Sequence, residues 1–215
     1  MRTSQERIPV DRGRTSIAGD LVVPSRPQAL IVFAHGSGSG RLSPRNRFVA
    51  GVLNDAGCAT LLADLLTPEE EALDARTASL RFNVEMLAQR LGDAAEFIGS
   101  RDGLVDLPIG YFGASTGAAA ALIAAANRSE RIFAIVSRGG RPDLAGAALS
   151  KVRAPTLLIV GGNDPVVLEL NRDAAKVVSA ESKLEIIPRA THLFEEPGAL
   201  EQVAGLAKQW FQNHC

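Results

Sequence analysis

Gly113-Ala114-Ser115-Thr116-Gly117 follows an apolar stretch at 108–112 and opens an alanine-rich one. A serine on a sharp strand-to-helix turn presents its hydroxyl as a nucleophile, and only small residues fit two positions to either side, where the two backbones close on each other. The plainer reading is a helix-capping serine. His35-Gly36-Ser37-Gly38-Ser39-Gly40 ends a second apolar stretch, at 29–34. A glycine-rich turn in that place can aim backbone N–H groups at a developing oxyanion, and the amides of Ser37 and Thr116 are the expected pair. A phosphate loop is the rival reading. It fails because the dinucleotide pattern needs glycine where Arg41 stands, and no G-x-x-x-x-G-K-[ST] occurs.

Gly161-Gly162-Asn163-Asp164-Pro165 follows a third apolar stretch, at 156–160. Asp164 there can orient a histidine, or it can simply cap the helix that Pro165 begins. Of three histidines, His214 is next to last and His35 sits in the glycine turn, so His192 in Arg189-Ala190-Thr191-His192-Leu193-Phe194 is the expected general base. A triad of Ser115, Asp164 and His192 would carry acyl transfer. Arginines cluster in the same loops: Arg41, Arg45 and Arg47, then Arg138 and Arg141, with Arg76 further on. Guanidinium forks suit an anionic substrate. They also suit internal pairing with Glu69, Glu70, Glu71, Asp143, Glu195 and Glu196, and both readings stand. His35, Arg45, Arg138 and Arg141 are the candidate substrate contacts.

These residues need elements to position them. Apolar runs of strand length lie at 29–34, 59–63, 108–112, 132–136, 156–160 and 184–187, and segments of helical spacing at 44–54, 79–98, 116–126, 166–178 and 197–212. Continuous apolar strands alternating with helices predict a parallel sheet covered on both faces. Residues 7–10 and 16–23 read as an antiparallel pair at one edge. The stretch 64–77 reads as a long loop. In such a sheet the ligand crevice lies at the carboxyl ends of the strands, where every residue named above falls.

The 215 residues are 46% apolar and 22% charged, with 23 Lys and Arg against 24 Asp and Glu. That length suits a single domain spanning 1–215, and the near-zero net charge excludes the basic footprint of a nucleic-acid binder. Two cysteines make no disulfide framework, and neither an apolar leader nor a membrane span is read, so a soluble, cytoplasmic protein, monomer or homodimer, is expected. No cluster of His, Cys and Asp has ligand spacing, and the chemistry calls for no metal and no cofactor.

The order Ser115, Asp164, His192, together with His35-Gly36-Ser37-Gly38 and Thr191-His192-Leu193-Phe194, resembles the α/β hydrolases of the dienelactone-hydrolase-like group over nearly the whole chain. The resemblance implies a three-layer α/β-hydrolase fold, a mostly parallel sheet with helices on both faces. The short connection between Val136 and Thr156 leaves no room for a cap domain, so an open, shallow pocket for a small ester or lactone is expected. Dienelactone hydrolases proper use a cysteine nucleophile where this chain has Ser115. The segments at 64–70 and 137–143 also resemble a bacterial subgroup sometimes joined to phosphoribosyltransferase domains, and no such domain is read here. An acyltransferase or thioesterase would use the same triad, and a non-catalytic binding module could keep the same fold.

Overall fold

The computed structural model describes residues 1–128 and 131–215. Its strands are β1 (Arg2–Val10), β2 (Thr15–Val23), β3 (Ala29–Ala34), β4 (Cys58–Ala63), β5 (Ile109–Ala114), β6 (Ile132–Arg138), β7 (Thr156–Gly161) and β8 (Ser182–Ile187). They form one sheet in the order β1-β2-β4-β3-β5-β6-β7-β8. The last six of these pair in parallel, while β1 and β2 join antiparallel at one edge, as the sequence predicts.

Helices cover both faces, which is why β3, β4, β5 and β7 are buried at every position. Helices α1 (Pro44–Asp55) and α6 (Ala199–His214) close one face over Phe33, Phe112 and Val136. Helices α3 (Val84–Gly99) and α4 (Thr116–Asn127) close the other over Leu30, Val32 and Tyr111, and α5 (Pro165–Val177) adds Ala174. Every residue from Thr116 to Ala125 is buried, and its alanines let α4 lie close to the sheet and to α3. Between β6 and β7 runs a turn and a 3-10 segment, Pro142–Lys151, with no inserted cap.

One expectation is corrected. The stretch 64–77 is not a loop throughout, because it contains helix α2, Pro68–Thr77. The Thr67 side chain accepts the Glu70 N–H while Glu70 receives the Thr67 N–H, and Pro68 supplies the first helical φ. The helix has a weak apolar stripe and buries only Asp74, so its period is hard to read, although its capping box is written in Thr67-Pro68-Glu69-Glu70. Accordingly the next helix begins at Val84 behind the Asn83 cap, not at Ser79.

Candidate active site

Ser115 joins β5 to α4 with φ 51° and ψ −122°, a conformation costly for any residue with a side chain. Packing enforces it. A Cβ on Gly113 would lie 2.5 Å from Ala118 Cα, and one on Gly117 would lie 2.3 Å from the Ala34 carbonyl oxygen. Two backbone bonds strap the turn to the end of β6 and the segment after it: Ser115 N–H donates to the Arg138 carbonyl at 3.2 Å, and Arg141 N–H donates to the Ser115 carbonyl at 3.1 Å. Ser115 is half-buried.

Asp164 stands at the N-cap position of α5, yet its side chain caps nothing there. Its Oδ2 instead lies 2.7 Å from His192 Nδ1, a contact through which a carboxylate can orient an imidazole. The two loops are sewn together, with Asn163 N–H on the Ala190 carbonyl at 2.9 Å and the Asn163 amide on the Arg189 carbonyl at 3.0 Å. A Cβ on Gly139, next to the strand end that holds Ser115, would come 3.5 Å from His192 Cε1. The structure therefore gathers Ser115, Asp164 and His192 at one end of the sheet. Among the described residues no hydrogen bond joins the Ser115 hydroxyl to the His192–Asp164 pair, and catalytic hydrogen bonds of this kind tighten in the substrate complex.

The oxyanion turn is more occupied than the sequence suggests. Ser37 N–H donates to Thr116 Oγ1 at 3.0 Å, and the two hydroxyls also lie 3.0 Å apart. An arriving oxyanion would have to displace the Thr116 hydroxyl from the Ser37 amide. The Thr116 amide, first in α4, has no partner in its own helix.

The candidate substrate contacts divide. His35 is buried with both ring nitrogens used: Nδ1 donates to the Gly36 carbonyl at 3.0 Å and Nε2 accepts the Leu65 N–H at 2.9 Å. Burial holds its pKa below the ordinary value, and the ring braces the glycine turn while also lining the adjoining cleft. Arg141 is paired at both ends of its fork with Asp143. Arg41 pairs with Asp64 and Asp20, and Arg47 with Asp20. Arg45 reaches the exposed Glu195 through Nη1 at 2.9 Å, while its Nε is buried without a partner. Arg138 is 8% exposed, and neither its Nε nor its Nη1 has a partner. Burial, and then repulsion from Arg45, pushes its pKa down to about 10.

A cleft of about 870 Å³ opens beside the glycine turn, lined among others by Gly36, Arg41, Arg45, Asp64, Glu71 and Thr116. Helix α2 walls its far side with Pro68, Glu71 and Ala72, and Ser115, Asp164 and His192 are not among its lining residues. Burial and the neighbouring Asp64 raise the pKa of Glu71 on that wall. Behind the cleft lies a residue the sequence reading did not single out. Arg90, 3% exposed, spends all five N–H groups on Asp11, Glu70 and the Leu65 carbonyl. No local pattern marks it, since its partners lie 20 to 79 residues away. Among the described residues no group of three or more His, Cys, Asp or Glu side chains could hold a metal ion. No described helix is long and apolar enough to cross a membrane.

No family model matches the chain. It is 56% identical over 209 residues to two Mycobacterium tuberculosis proteins, of strains CDC 1551 and H37Rv, provisionally named phosphoribosyl transferases. The match takes in 97% of this chain but 46% of theirs, so the chain spans about half the length of these curated relatives. Among solved structures, a dienelactone hydrolase from Anabaena variabilis superposes with a TM-score of 0.94 at 53% identity, covering 100% of this chain and 99% of that one. Est1E from Butyrivibrio proteoclasticus shares the fold, with a TM-score of 0.81 at 18% identity over 98% of each chain.

Proposed function

Because the chain belongs to the dienelactone hydrolase family, within the α/β-hydrolase fold, we propose that it is a serine hydrolase opening the ester or lactone bond of a small molecule. One observation carries this reading: a half-buried serine held at φ 51° on the strand-to-helix turn, at the same end of the sheet as an aspartate–histidine pair 2.7 Å apart. In the proposed cycle His192 Nε2 takes the Ser115 proton as Ser115 Oγ attacks the carbonyl carbon, and Asp164 holds Nδ1–H and stabilises the imidazolium. The tetrahedral oxyanion settles on the Thr116 amide and on the Ser37 amide once Thr116 Oγ1 gives way. Collapse transfers the His192 proton to the leaving alkoxide, and water then repeats the sequence on the acyl-enzyme.

The mycobacterial relatives' transferase name belongs to proteins about twice as long, and this triad supplies an acyl acceptor rather than a phosphoribosyl site. Transfer of the acyl group to an acceptor other than water would use the same residues. A fluorophosphonate probe tests the reading directly. The parent protein is expected to be labelled at Ser115 and to hydrolyse activated short-chain esters, whereas Ser115→Ala keeps the fold and loses several orders of magnitude in turnover. An Ser115→Ala protein as active as its parent would remove Ser115 from the mechanism, and an unlabelled parent would favour a binding module.

A further inference from the structure

Helix α5 carries Asp164 at its start and buries one stripe, Val167, Asn171 and Ala174, spaced as a single helical face requires. An asparagine in the middle of such a stripe calls for a reason. Asn171 is 0% exposed, at a place where leucine would bury no polar atoms. Two carbonyl oxygens face its side chain and fix the amide with Nδ2 toward them. Nδ2 donates to the Val167 carbonyl at 2.8 Å, within the helix, and to the Gly140 carbonyl at 2.9 Å, across to the segment after β6. At the other end of the amide Oδ1 is buried without a partner. An apolar side chain would remove that unmet acceptor, but it could not hold Gly140.

The neighbours of Gly140 give that bond its meaning. Gly139 N–H donates to the Ile159 carbonyl at 2.8 Å, and a Cβ on Gly139 would lie 3.5 Å from His192 Cε1. Arg141 N–H donates to the Ser115 carbonyl at 3.1 Å. Gly140 itself has no room for a side chain, since a Cβ there would meet Ser137 Oγ at 2.0 Å and Ala118 Cβ, in the first turn of α4, at 2.7 Å. Residues 139–141 therefore run between the Ser115 turn and the His192 ring, and the Asn171 amide grips their middle. Asp164 lies on the same helix about two turns before Asn171, or about 10 Å along the axis. A slip of α5 against residues 139–141 would carry Asp164, and the His192 ring it holds, away from Ser115. Building on the hydrolase reading, we propose that Asn171 is a positioning residue for the reaction, its amide locking α5 to residues 139–141 and so setting the Asp164–His192 pair at its working distance from Ser115. Asn171 touches no substrate. Its effect falls on the rate of acyl transfer and not on binding.

Asn171→Leu in the whole chain tests this, with 4-nitrophenyl acetate as substrate and a fluorophosphonate as the probe of Ser115, each variant assayed well below its own melting temperature. Small misplacements of reacting groups cost up to about a hundredfold, so kcat is expected to fall about 10- to 100-fold. KM should stay within about twofold, and labelling of Ser115 should slow in parallel with kcat. Asn171→Gln, which keeps the amide on a longer stem, recovers part of the rate. Ala174→Gly, on the same stripe, lowers the melting temperature and leaves kcat unchanged. Should Asn171→Leu not fold, Asn171→Ser, too short to reach Gly140, takes its place in the same comparison. A variant that melts earlier but keeps the parent kcat assigns Asn171 to stability alone and overturns the proposal. A change confined to KM, or a loss of kcat that Ala174→Gly reproduces, overturns it too. In each of these cases the parent remains labelled and active, and the hydrolase reading stands. A parent that neither takes the probe nor hydrolyses the ester removes the hydrolase reading, and the role of Asn171 with it.

Discussion

Replacing Arg90 by methionine removes a cation that is 3% exposed and leaves its surroundings otherwise filled. Two carboxylates, Asp11 and Glu70, and the Leu65 carbonyl lose the Arg90 donors together, and Glu70 keeps only the Thr67 N–H. Breaking a buried ion pair from one side costs about 3–5 kcal/mol. Asp11 and Glu70 are 30% and 27% exposed, so water can reach both carboxylates. The low end applies, about 3 kcal/mol, or about 6–12 °C in melting temperature for a domain of this size. The loss is pH-dependent with a definite sign. Hydrogen bonds from Arg90 hold the Glu70 carboxyl below its ordinary value, so the stabilisation is present above the ordinary value of 4.5 and is lost as pH falls through the folded one. The gap between parent and Arg90→Met, measured by urea unfolding, should therefore narrow as pH falls below the ordinary value of 4.5. A gap below about 1 kcal/mol at pH 7, or one that stays constant through that fall, would refute the hub assigned to Arg90.

Asp164→Asn should lower kcat by about a thousandfold or more through the loss of the charge behind His192. Since its carboxylate does not cap α5, the melting temperature should move little, and a large drop would return Asp164 to a capping role. Gly117→Ala places a methyl 2.3 Å and 2.4 Å from the carbonyl oxygens of Ala34 and His35, and should cost at least about 2 kcal/mol with loss of activity. Gly205→Ala in α6, where a Cβ meets nothing, should be neutral or stabilising by up to about 1 kcal/mol, and denaturant midpoints separate the two. His35 is held neutral by burial, with a folded pKa below 6.5, so its contribution is complete above that value and is lost as pH falls toward the folded one. His35→Gln should be less stable than the parent at pH 8 and show a flatter melting profile between pH 7 and 5. A parallel profile would show that the ring does not titrate with unfolding.

Much of the architecture is legible because it rests on local pattern. The stretches 29–34 and 156–160 are apolar without interruption, as burial on two faces demands, and β3 and β7 form there. Gly113 and Gly117 announce the turn at Ser115 since no larger residue fits beside the neighbouring backbones. Helix α2 escaped the periodic reading because it lies on the surface, buries one residue and owes its start to a cap rather than to an apolar stripe. With it went the wall that Pro68, Glu71 and Ala72 give the cleft.

The residue types and their order determined, without coordinates, a covered parallel sheet with candidate nucleophile, acid and base at its carboxyl end. Only the tertiary structure decided which partner each polar group takes. Asp164 turns from its helix to His192, the Ser37 amide is held by Thr116, and His35 spends both nitrogens on the backbone. The same holds for charge, since Arg141 finds Asp143 two residues away, whereas Arg41 reaches Asp20 and Asp64 on other elements. Strand and helix periods are written in neighbouring residues, but hydrogen bonds and ion pairs are settled by distances of a few ångströms between segments far apart in the chain.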